Sequence, residues 1–312
     1  MSSSSTSNSS RLGPIRPIGL GWVVGVILLA TVTLNAAVAK YVEHPPDVVT
    51  AKIRGYQARS GGKHLVSFGS CHGDAMVPAV VEDAWGAGVD VINVSFKNTE
   101  PMEWALTFRR YIEDDPDLVG VAVVFANTEL RTGANPWEEQ VMGLAAWGDL
   151  PLLARVGCKS FGCASELVLR RGWPAYRQRG YLSARAWHSI GIRPPSLVPG
   201  SPRIGTSESS WFDGDADPYV WTRAFMAEAK RREIPAWFIP LAPNPDFPPA
   251  DDDHGSLAVI REGGGDVLDI HIDPPLTPAD YKDDRHLKDE SMPRMAKAIG
   301  LALRERVPTG RR

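Results

Sequence analysis

Short, mostly apolar segments recur along the chain, and stretches with helical periodicity separate them. The apolar runs cover residues 65–68, 90–94, 118–126, 235–241 and 267–272. Runs of this kind are typical of strands that are buried on both faces of a parallel sheet. We therefore predict a strand at each of them.

The intervening segments place apolar side chains every three to four residues, as amphipathic helices do. The predicted helices cover residues 74–84, 101–114, 137–147, 165–190 (interrupted near Gly172 and Pro174), 217–232 and 291–306. Strands that alternate with helices form parallel sheets covered by helices on both faces. The pattern predicts an α/β fold, a three-layer sandwich around a central, mostly parallel sheet.

The N-terminal region has a different pattern. Residues 1–17 form a polar, Ser-rich tail, and residues 18–39 contain no charged side chain. About 20 apolar residues in a helix cross a bilayer. We predict a single-pass membrane anchor at 18–39, a linker at 40–62 and one globular domain at 63–312. Ala37-Val38-Ala39 also fits a cleavage site, so a removed signal peptide and a secreted domain are the alternative.

The charged residues indicate how the predicted anchor is oriented in the membrane and which class of partner is excluded. Arg11 and Arg16 precede the apolar stretch and Lys40 follows it, so the positive-inside rule favours a periplasmic or extracellular domain. The chain of 312 residues has a net charge of −3. Because nucleic-acid binding normally needs a basic face, no nucleic-acid partner is expected.

The three cysteines fall into two groups. Cys158 and Cys163 lie in a loop-like stretch and can close a small disulfide ring, which is typical of exported proteins. This pairing leaves Cys71 as a free thiol. The two paired thiols could instead bind a metal, but no second pair with matching spacing exists. Reduced Cys158 and Cys163 in cells would favour a domain that faces the cytoplasm.

The first predicted strand ends in Gly69-Ser70-Cys71-His72, directly before the helix predicted at 74–84. A nucleophile here is exposed by the turn, and backbone N–H groups and the helix end favour negative charge beside it. Parallel sheets bind ligands at the carboxyl ends of their strands, and Asn127 follows the third strand. The alternative is an ordinary turn with a buried cysteine.

Asp283 and His286 stand in a loop before the last helix. An Asp three residues before a His can fix the imidazole in one tautomer while its other nitrogen faces a nucleophile. A solvent-exposed acidic loop would account for the same residues. With an early nucleophile and Asn127, they complete a triad and an oxyanion donor in one chain order.

Two other groups resemble metal ligands but are better explained without a metal. Asp269, His271 and Asp273 would share one face of the strand predicted at 267–272, which is also the pattern of a half-exposed strand. Residues 251–254 lie in a Pro-rich loop and are more typical of a solvated turn. We predict no metal and no cofactor.

The chain resembles the SGNH (GDSL-like) hydrolase superfamily over roughly residues 63–305. Residues 66–72 (VSFGSCH) match its first block, in which the third residue of Gly-Asp-Ser is the nucleophile. Residues 125–128 (FANT) match the block whose Asn donates to the oxyanion, and residues 283–287 (DDRHL) match the terminal Asp-x-x-His-Leu block. With its N-terminal anchor, the chain is similar to the D-alanyl transfer and alginate O-acetylation proteins, which act on acyl esters of envelope polymers.

The resemblance implies a role for each residue of the triad. The Gly-x-Ser register makes Cys71 the nucleophile, with Ser70 in place of the family's Asp; Ser70 is the alternative nucleophile if the register slips. His286 would activate the nucleophile and Asp283 would orient His286. A thiol suits this role, because a Cys–His pair at a helix N-terminus has a lowered pKa and forms a thioester.

One block of the family has no clear match. Lys97-Asn98-Thr99 stands where the family has a Gly donor. The oxyanion hole would then use the Cys71 backbone N–H, Asn127 and Asn98, while His72 would contact substrate or cap the turn.

These observations predict a membrane-anchored O-acyl esterase or acyltransferase that acts on an envelope polysaccharide or glycolipid. The resemblance also implies a membrane acyl-donor protein as a partner. The alternative is a catalytically inactive envelope assembly or binding protein that keeps the fold.

Overall fold

Five parallel strands form one sheet with helices on both faces, which confirms the predicted α/β class. The computed structural model describes residues 18–41, 48–59, 61–86, 88–97, 99–126, 129–131, 141, 144–157, 161–177, 217–247 and 254–306. The strands are β1 (His64–Gly69), β2 (Asp90–Asn93), β3 (Leu118–Phe125), β4 (Ala236–Pro240) and β5 (Asp266–Val267). Their order across the sheet is β2-β1-β3-β4-β5.

The helices confirm most of the predicted pattern. They are α1 (Ile18–Tyr41), α2 (Val48–Gln57), α3 (Pro78–Trp85), α4 (Pro101–Thr107), α5 (Leu150–Gly157), α6 (Phe161–Gly172), α7 (Pro174–Arg177), α8 (Val220–Arg231), α9 (His254–Gly263) and α10 (Met292–Arg306). A π-helical turn at Phe108–Ile112 extends α4. The break predicted near Gly172 separates α6 from α7, and most of the helix predicted at 137–147 lies outside the described residues.

Alternation of side chains along the strands gives the sheet two apolar faces. Val66 and Phe68 of β1 pack in one core with α4, α8 and α9. Leu65 of β1 and Val124 of β3 face the other way and pack with α3 and α10. The near-continuous burial of β1 and β3 therefore follows from helices on both sides.

The N-terminal elements bear on the predicted anchor and linker. Helix α1 covers the predicted anchor, although the side chains of residues 18–21 and 39 lie outside the described ones. Within the described part of the chain, no helix combines the length and apolarity that a membrane crossing requires. Helix α2 lies in the predicted linker, and its Ile53 and Tyr56 are buried in the core of the domain, because their spacing puts both on one helix face.

The last strand is shorter than predicted. Leu268 donates its backbone N–H to Phe238 at 2.9 Å, but β5 ends at Val267. The next bond of a parallel ladder would come from the N–H of residue 240, which is a proline and has none. Asp269, His271 and Asp273 therefore do not share a strand face, and that predicted arrangement is wrong.

Two predictions of local structure are also corrected. Residues 251–253 of the predicted solvated turn lie outside the described residues, but its last residue, His254, begins helix α9. Val259 and Ile260 of this helix are buried against the sheet. The helix predicted at 74–84 instead begins at Pro78, and a short 3-10 turn at Cys71–Ala75 precedes it.

The 3-10 turn is held in place because two glycines, one just before it and one within it, pass very close to neighbouring segments of the chain. A Cβ on Gly69 would lie 2.7 Å from the carbonyl oxygen of Val124, and a Cβ on Gly73 would lie 2.0 Å from Ser95 Oγ. Only glycine lets the chain pass at both points. The turn therefore sits against β3 and against the segment that follows β2.

Helices α3 and α10 meet at a glycine, and this contact yields a test of the packing. In Gly300→Ala the new Cβ would lie 2.7 Å from Val81 O and from Ala84 Cβ. We expect a loss of about 1–2 kcal/mol in the free energy of unfolding, because overpacking exceeds the gain in helix propensity. Urea denaturation measures the change.

Gly55→Ala in α2 is the matched control, since its Cβ would have no atom within 4 Å. It should stabilise the protein by up to about 1 kcal/mol through helix propensity alone. Equal effects of the two substitutions would contradict the close contact at Gly300.

Candidate active site

The candidate site lies where the strand order reverses. β1 and β3 are neighbours in the sheet, and the chain leaves them in opposite directions, to β2 and to β4. Open parallel sheets bind ligands in the crevice at such a point, beyond the carboxyl ends of the strands. Cys71 follows β1 and Glu129 follows β3.

The structure brings Cys71, His286 and Asp283 into contact. Sγ of Cys71 lies 2.8 Å from Nε2 of His286. Nδ1 of His286 lies 2.8 Å from Oδ2 and 3.0 Å from Oδ1 of Asp283. Because a carboxylate only accepts hydrogen bonds, Nδ1 carries a proton and Nε2 faces the sulfur. This is the arrangement that positions a nucleophile, a base and an orienting acid.

A small hairpin presents His286 to the cysteine. Tyr281 and Leu287 form an antiparallel bridge, and Lys282 donates its N–H to the carbonyl of His286 at 2.9 Å. Asn244, which follows β4, donates from its side chain to the carbonyl of Asp283 at 3.0 Å. The hairpin is therefore tied both to itself and to the end of a sheet strand.

Backbone donors hold Asp283 in its ionised form. Its Oδ1 accepts the N–H groups of Arg285 at 3.0 Å and of His286 at 2.7 Å. Burial acts to raise the pKa of Asp283, but these bonds and the one from the imidazole outweigh it and lower the pKa to about 2. A negative charge thus stands behind His286 throughout the neutral range.

The thiol of Cys71 is unusually acidic. Burial alone would raise its pKa, but hydrogen bonds from His72, Ser70 and His286 together lower the pKa to about 6. The pKa of His286 is raised: burial lowers it, and its hydrogen bonds with Cys71 and Asp283 raise it by more. The contact therefore favours a thiolate on Cys71 beside a protonated His286.

Ser70, the alternative nucleophile, has a different environment. It is 5% exposed, and its Oγ donates a hydrogen bond to Oε1 of Glu129. The hydroxyl lies 3.5 Å from Cys71 Sγ and does not contact His286. Because the hydroxyl is buried and bonded to a carboxylate, the geometry favours Cys71 as the nucleophile.

A second histidine–carboxylate pair adjoins the cysteine. Nδ1 of His72 lies 2.7 Å from Oε1 of Glu129 and 3.9 Å from Sγ of Cys71. The rings of His72 and His286 stack in parallel, with centroids 4.9 Å apart. The sequence predicts that His72 contacts substrate or caps the turn, and it assigns no role to Glu129. The position of Glu129, just beyond the end of a central strand, was the one available indication.

A cavity of about 250 Å³ opens onto the thiol. It is lined by Cys71, His72, Asp74, Ala75, Lys97, Leu241, Lys282, His286, Leu287 and Met292. Most of this lining is apolar, as in sites that take uncharged groups of small ligands. Asp74, Lys97 and Lys282 bring charge to its wall.

Several predicted site residues lie outside the described ones. Asn98 and Asn127, the predicted oxyanion donors, belong to this group, as do Cys158 and the side chain of Cys163. Their roles in the oxyanion hole and in a disulfide stay predictions.

Cys71, His72 and His286 have the side chains of a metal site, and their ligand atoms lie within 4.8 Å of one another. The lone pair of an imidazole nitrogen lies in the plane of its ring. The planes of His72 and His286 differ by only 1° and the rings are stacked, so their lone pairs do not converge on one point. The geometry therefore fits a tetrahedral zinc ion poorly.

Comparison with known proteins returned no match, either to a family model or to a curated protein. The resemblance to the SGNH superfamily therefore stays a prediction.

The acidity of the thiol can be measured directly. Because only the thiolate reacts with iodoacetamide, we expect alkylation of Cys71 to rise with pH through a midpoint near 6 and then to level off. Mass spectrometry of the Cys71 peptide separates this reaction from that of Cys158 and Cys163. A midpoint near the value of about 8.5 for a free thiol would contradict the hydrogen bonds described above.

Proposed function

We propose that the protein is a cysteine-dependent O-acyl esterase or acyltransferase of the SGNH type. The contact of Cys71 Sγ with His286 Nε2 at 2.8 Å, backed by Asp283, is the observation that carries this proposal. A sheet with strand order 2-1-3-4-5 and a layer of helices on each face agrees with such a three-layer fold.

The first half of the reaction forms a thioester. The Cys71 thiolate attacks the carbonyl carbon of the acyl ester and gives a tetrahedral oxyanion. When the oxyanion collapses, the C–O bond breaks, and the departing alkoxide takes the proton from Nε2 of His286. The acyl group is then bound to sulfur, and His286 is neutral.

The second half transfers the acyl group. A hydroxyl of the acceptor, or of water, gives its proton to Nε2 of His286 while its oxygen attacks the thioester carbon. Collapse of this intermediate expels the Cys71 thiolate and restores the ion pair. Asp283 keeps the imidazole in the tautomer and orientation that both halves need.

We further propose an acyl ester of an envelope polysaccharide or glycolipid as the substrate, in a domain that faces away from the cytoplasm. The resemblance and the predicted anchor at residues 18–39 support this substrate class. The mostly apolar cavity beside the thiol agrees with a small acyl group bound next to the sulfur. A membrane acyl-donor protein would be the partner if the reaction is transfer.

The choice of nucleophile provides the test. With the full-length protein and p-nitrophenyl acetate, Cys71→Ala should lower turnover by about a thousandfold or more, because no residue replaces the thiolate. Ser70→Ala removes a neighbour of the thiolate and should cost about tenfold or less. Turnover and the thioester, trapped and identified by mass spectrometry, are the measurements.

His271→Gln is the matched control, since this side chain is exposed and outside the site. If Ser70→Ala abolished turnover and Cys71→Ala did not, the assignment would be wrong. A folded wild-type protein that neither turns over esters nor forms an acyl adduct would favour the inactive assembly protein.

A further inference from the structure

His72 and Glu129 form a pair that the proposed reaction does not yet use. His72 is 3% exposed, and among the described residues its Nε2 has no hydrogen-bond partner. Its Nδ1 faces Glu129 at 2.7 Å and Cys71 Sγ at 3.9 Å. A buried imidazole at this distance from a nucleophile acts on the charge of the sulfur.

Glu129 accepts hydrogen bonds from three directions. Besides Nδ1 of His72, it receives the hydroxyl of Ser70 and the backbone N–H of Ala126, the latter at 2.9 Å. Burial acts to raise the pKa of Glu129, but these bonds and the charge of His72 lower it. Glu129 is therefore a carboxylate within the protein interior.

The carboxylate keeps His72 protonated. Burial would lower the pKa of His72, but its bonds to Cys71 and Glu129 raise the pKa to about 9. Both partners favour the protonated imidazole, and His72 is therefore a cation through the neutral range in the resting site. The 2.7 Å bond to Glu129 does not involve the sulfur, so the carboxylate continues to favour the protonated form when the sulfur is acylated.

The stacked rings make this charge important for His286. Two imidazolium rings in parallel, 4.9 Å apart, repel each other. In the free enzyme the thiolate of Cys71 contacts both histidines and offsets the repulsion. Among the described residues, Asp74, Lys97 and Lys282 also bring charge to the cavity beside the sulfur, and the charge of Arg285 acts on Glu129.

Formation of the thioester removes that compensation. The sulfur then carries no charge, while Glu129 still holds the proton on His72. His286 now faces a cation without the thiolate, so it binds a proton less tightly than in the free enzyme. A neutral His286 is the form that can accept a proton from the incoming hydroxyl.

We propose that His72, held as a cation by Glu129, is a second catalytic imidazole, which stabilises the Cys71 thiolate before acylation and keeps His286 unprotonated after it. Glu129 is the positioning residue. His72 neither gains nor loses a proton in the cycle; the only proton that moves is the one on Nε2 of His286. The inference rests on the proposed thioester chemistry for its second half.

The first half can be tested without any substrate. We expect His72→Gln and Glu129→Gln to raise the pH midpoint of Cys71 alkylation by about one pH unit or more, because the sulfur loses a neighbouring positive charge. The controls are His271→Gln, and Glu262→Gln in the exposed pair with Arg223. An unchanged midpoint in both site variants would overturn the proposal.

If thermal melting shows that Glu129→Gln does not fold, Glu129→Asp replaces it in the alkylation measurement. It keeps the charge but shortens the side chain, so its midpoint should lie between those of the wild type and His72→Gln. A midpoint equal to that of the wild type would show that the bond between His72 and the Glu129 carboxylate does not matter, and would overturn the role of Glu129.

The second half is tested on the acyl-enzyme. The rate of its breakdown, followed after a burst of p-nitrophenol, should rise with pH as His286 loses its proton. In His72→Gln this rise should move to higher pH, because removal of the cation lets His286 keep its proton. If the breakdown rate in His72→Gln rose at the wild-type pH, or at a lower pH, the second half of the proposal would be overturned. Absence of any acyl-enzyme would refute the proposed function, while the alkylation midpoints would still decide the first half.

Discussion

The site depends on one contact, that of the Cys71 sulfur with Nε2 of His286. These residues are 215 positions apart in the chain, so the contact exists only because two distant segments end at the same edge of the sheet. The glycine-dependent turn after β1 brings the thiol there. The hairpin before α10 brings the imidazole, and α10 is itself fixed by its close approach to α3 at Gly300. Packing on one face of the sheet thus sets the geometry of the chemistry.

Charge balance is the second constraint, because a half-buried thiolate is costly unless cations adjoin it. Cys71 has an imidazole on each side, and each imidazole has its own carboxylate, Asp283 or Glu129. The two carboxylates differ in kind. Asp283 is partly exposed and accepts two backbone N–H groups besides the imidazole, whereas Glu129 is largely enclosed and accepts one backbone N–H besides the side chains of His72 and Ser70. In the proposed reaction the exposed pair would exchange protons with substrate, and the enclosed pair would keep a constant charge.

The sequence pattern predicts the central strands of the sheet. It also predicts those site residues that are close together in the sequence. β3 and β4 are uninterrupted apolar runs, β1 is mostly apolar, and Asp283 and His286 are only three residues apart in the sequence. The patterns failed where a single backbone property decided the outcome. Pro240 has no N–H to extend the ladder with β5, and Pro78 disfavours helical backbone at Val77, so α3 starts only at Pro78. Glu129 was missed because its partner His72 lies 57 positions away, and no spacing rule relates them.

The histidine–carboxylate pair of His72 and Glu129 suits a site in which residue 71 is a cysteine and not a serine. A serine hydroxyl stays protonated at rest, so a fixed cation beside it would oppose proton transfer to the general base. A thiol with a low pKa is already ionised, and a cation beside it lowers the energy of the resting state and of the oxyanion that forms next to it. His72 and Glu129 therefore fit a cysteine enzyme and would hinder a serine one. The buried hydroxyl of Ser70, bonded to Glu129, helps to hold the carboxylate that makes this possible.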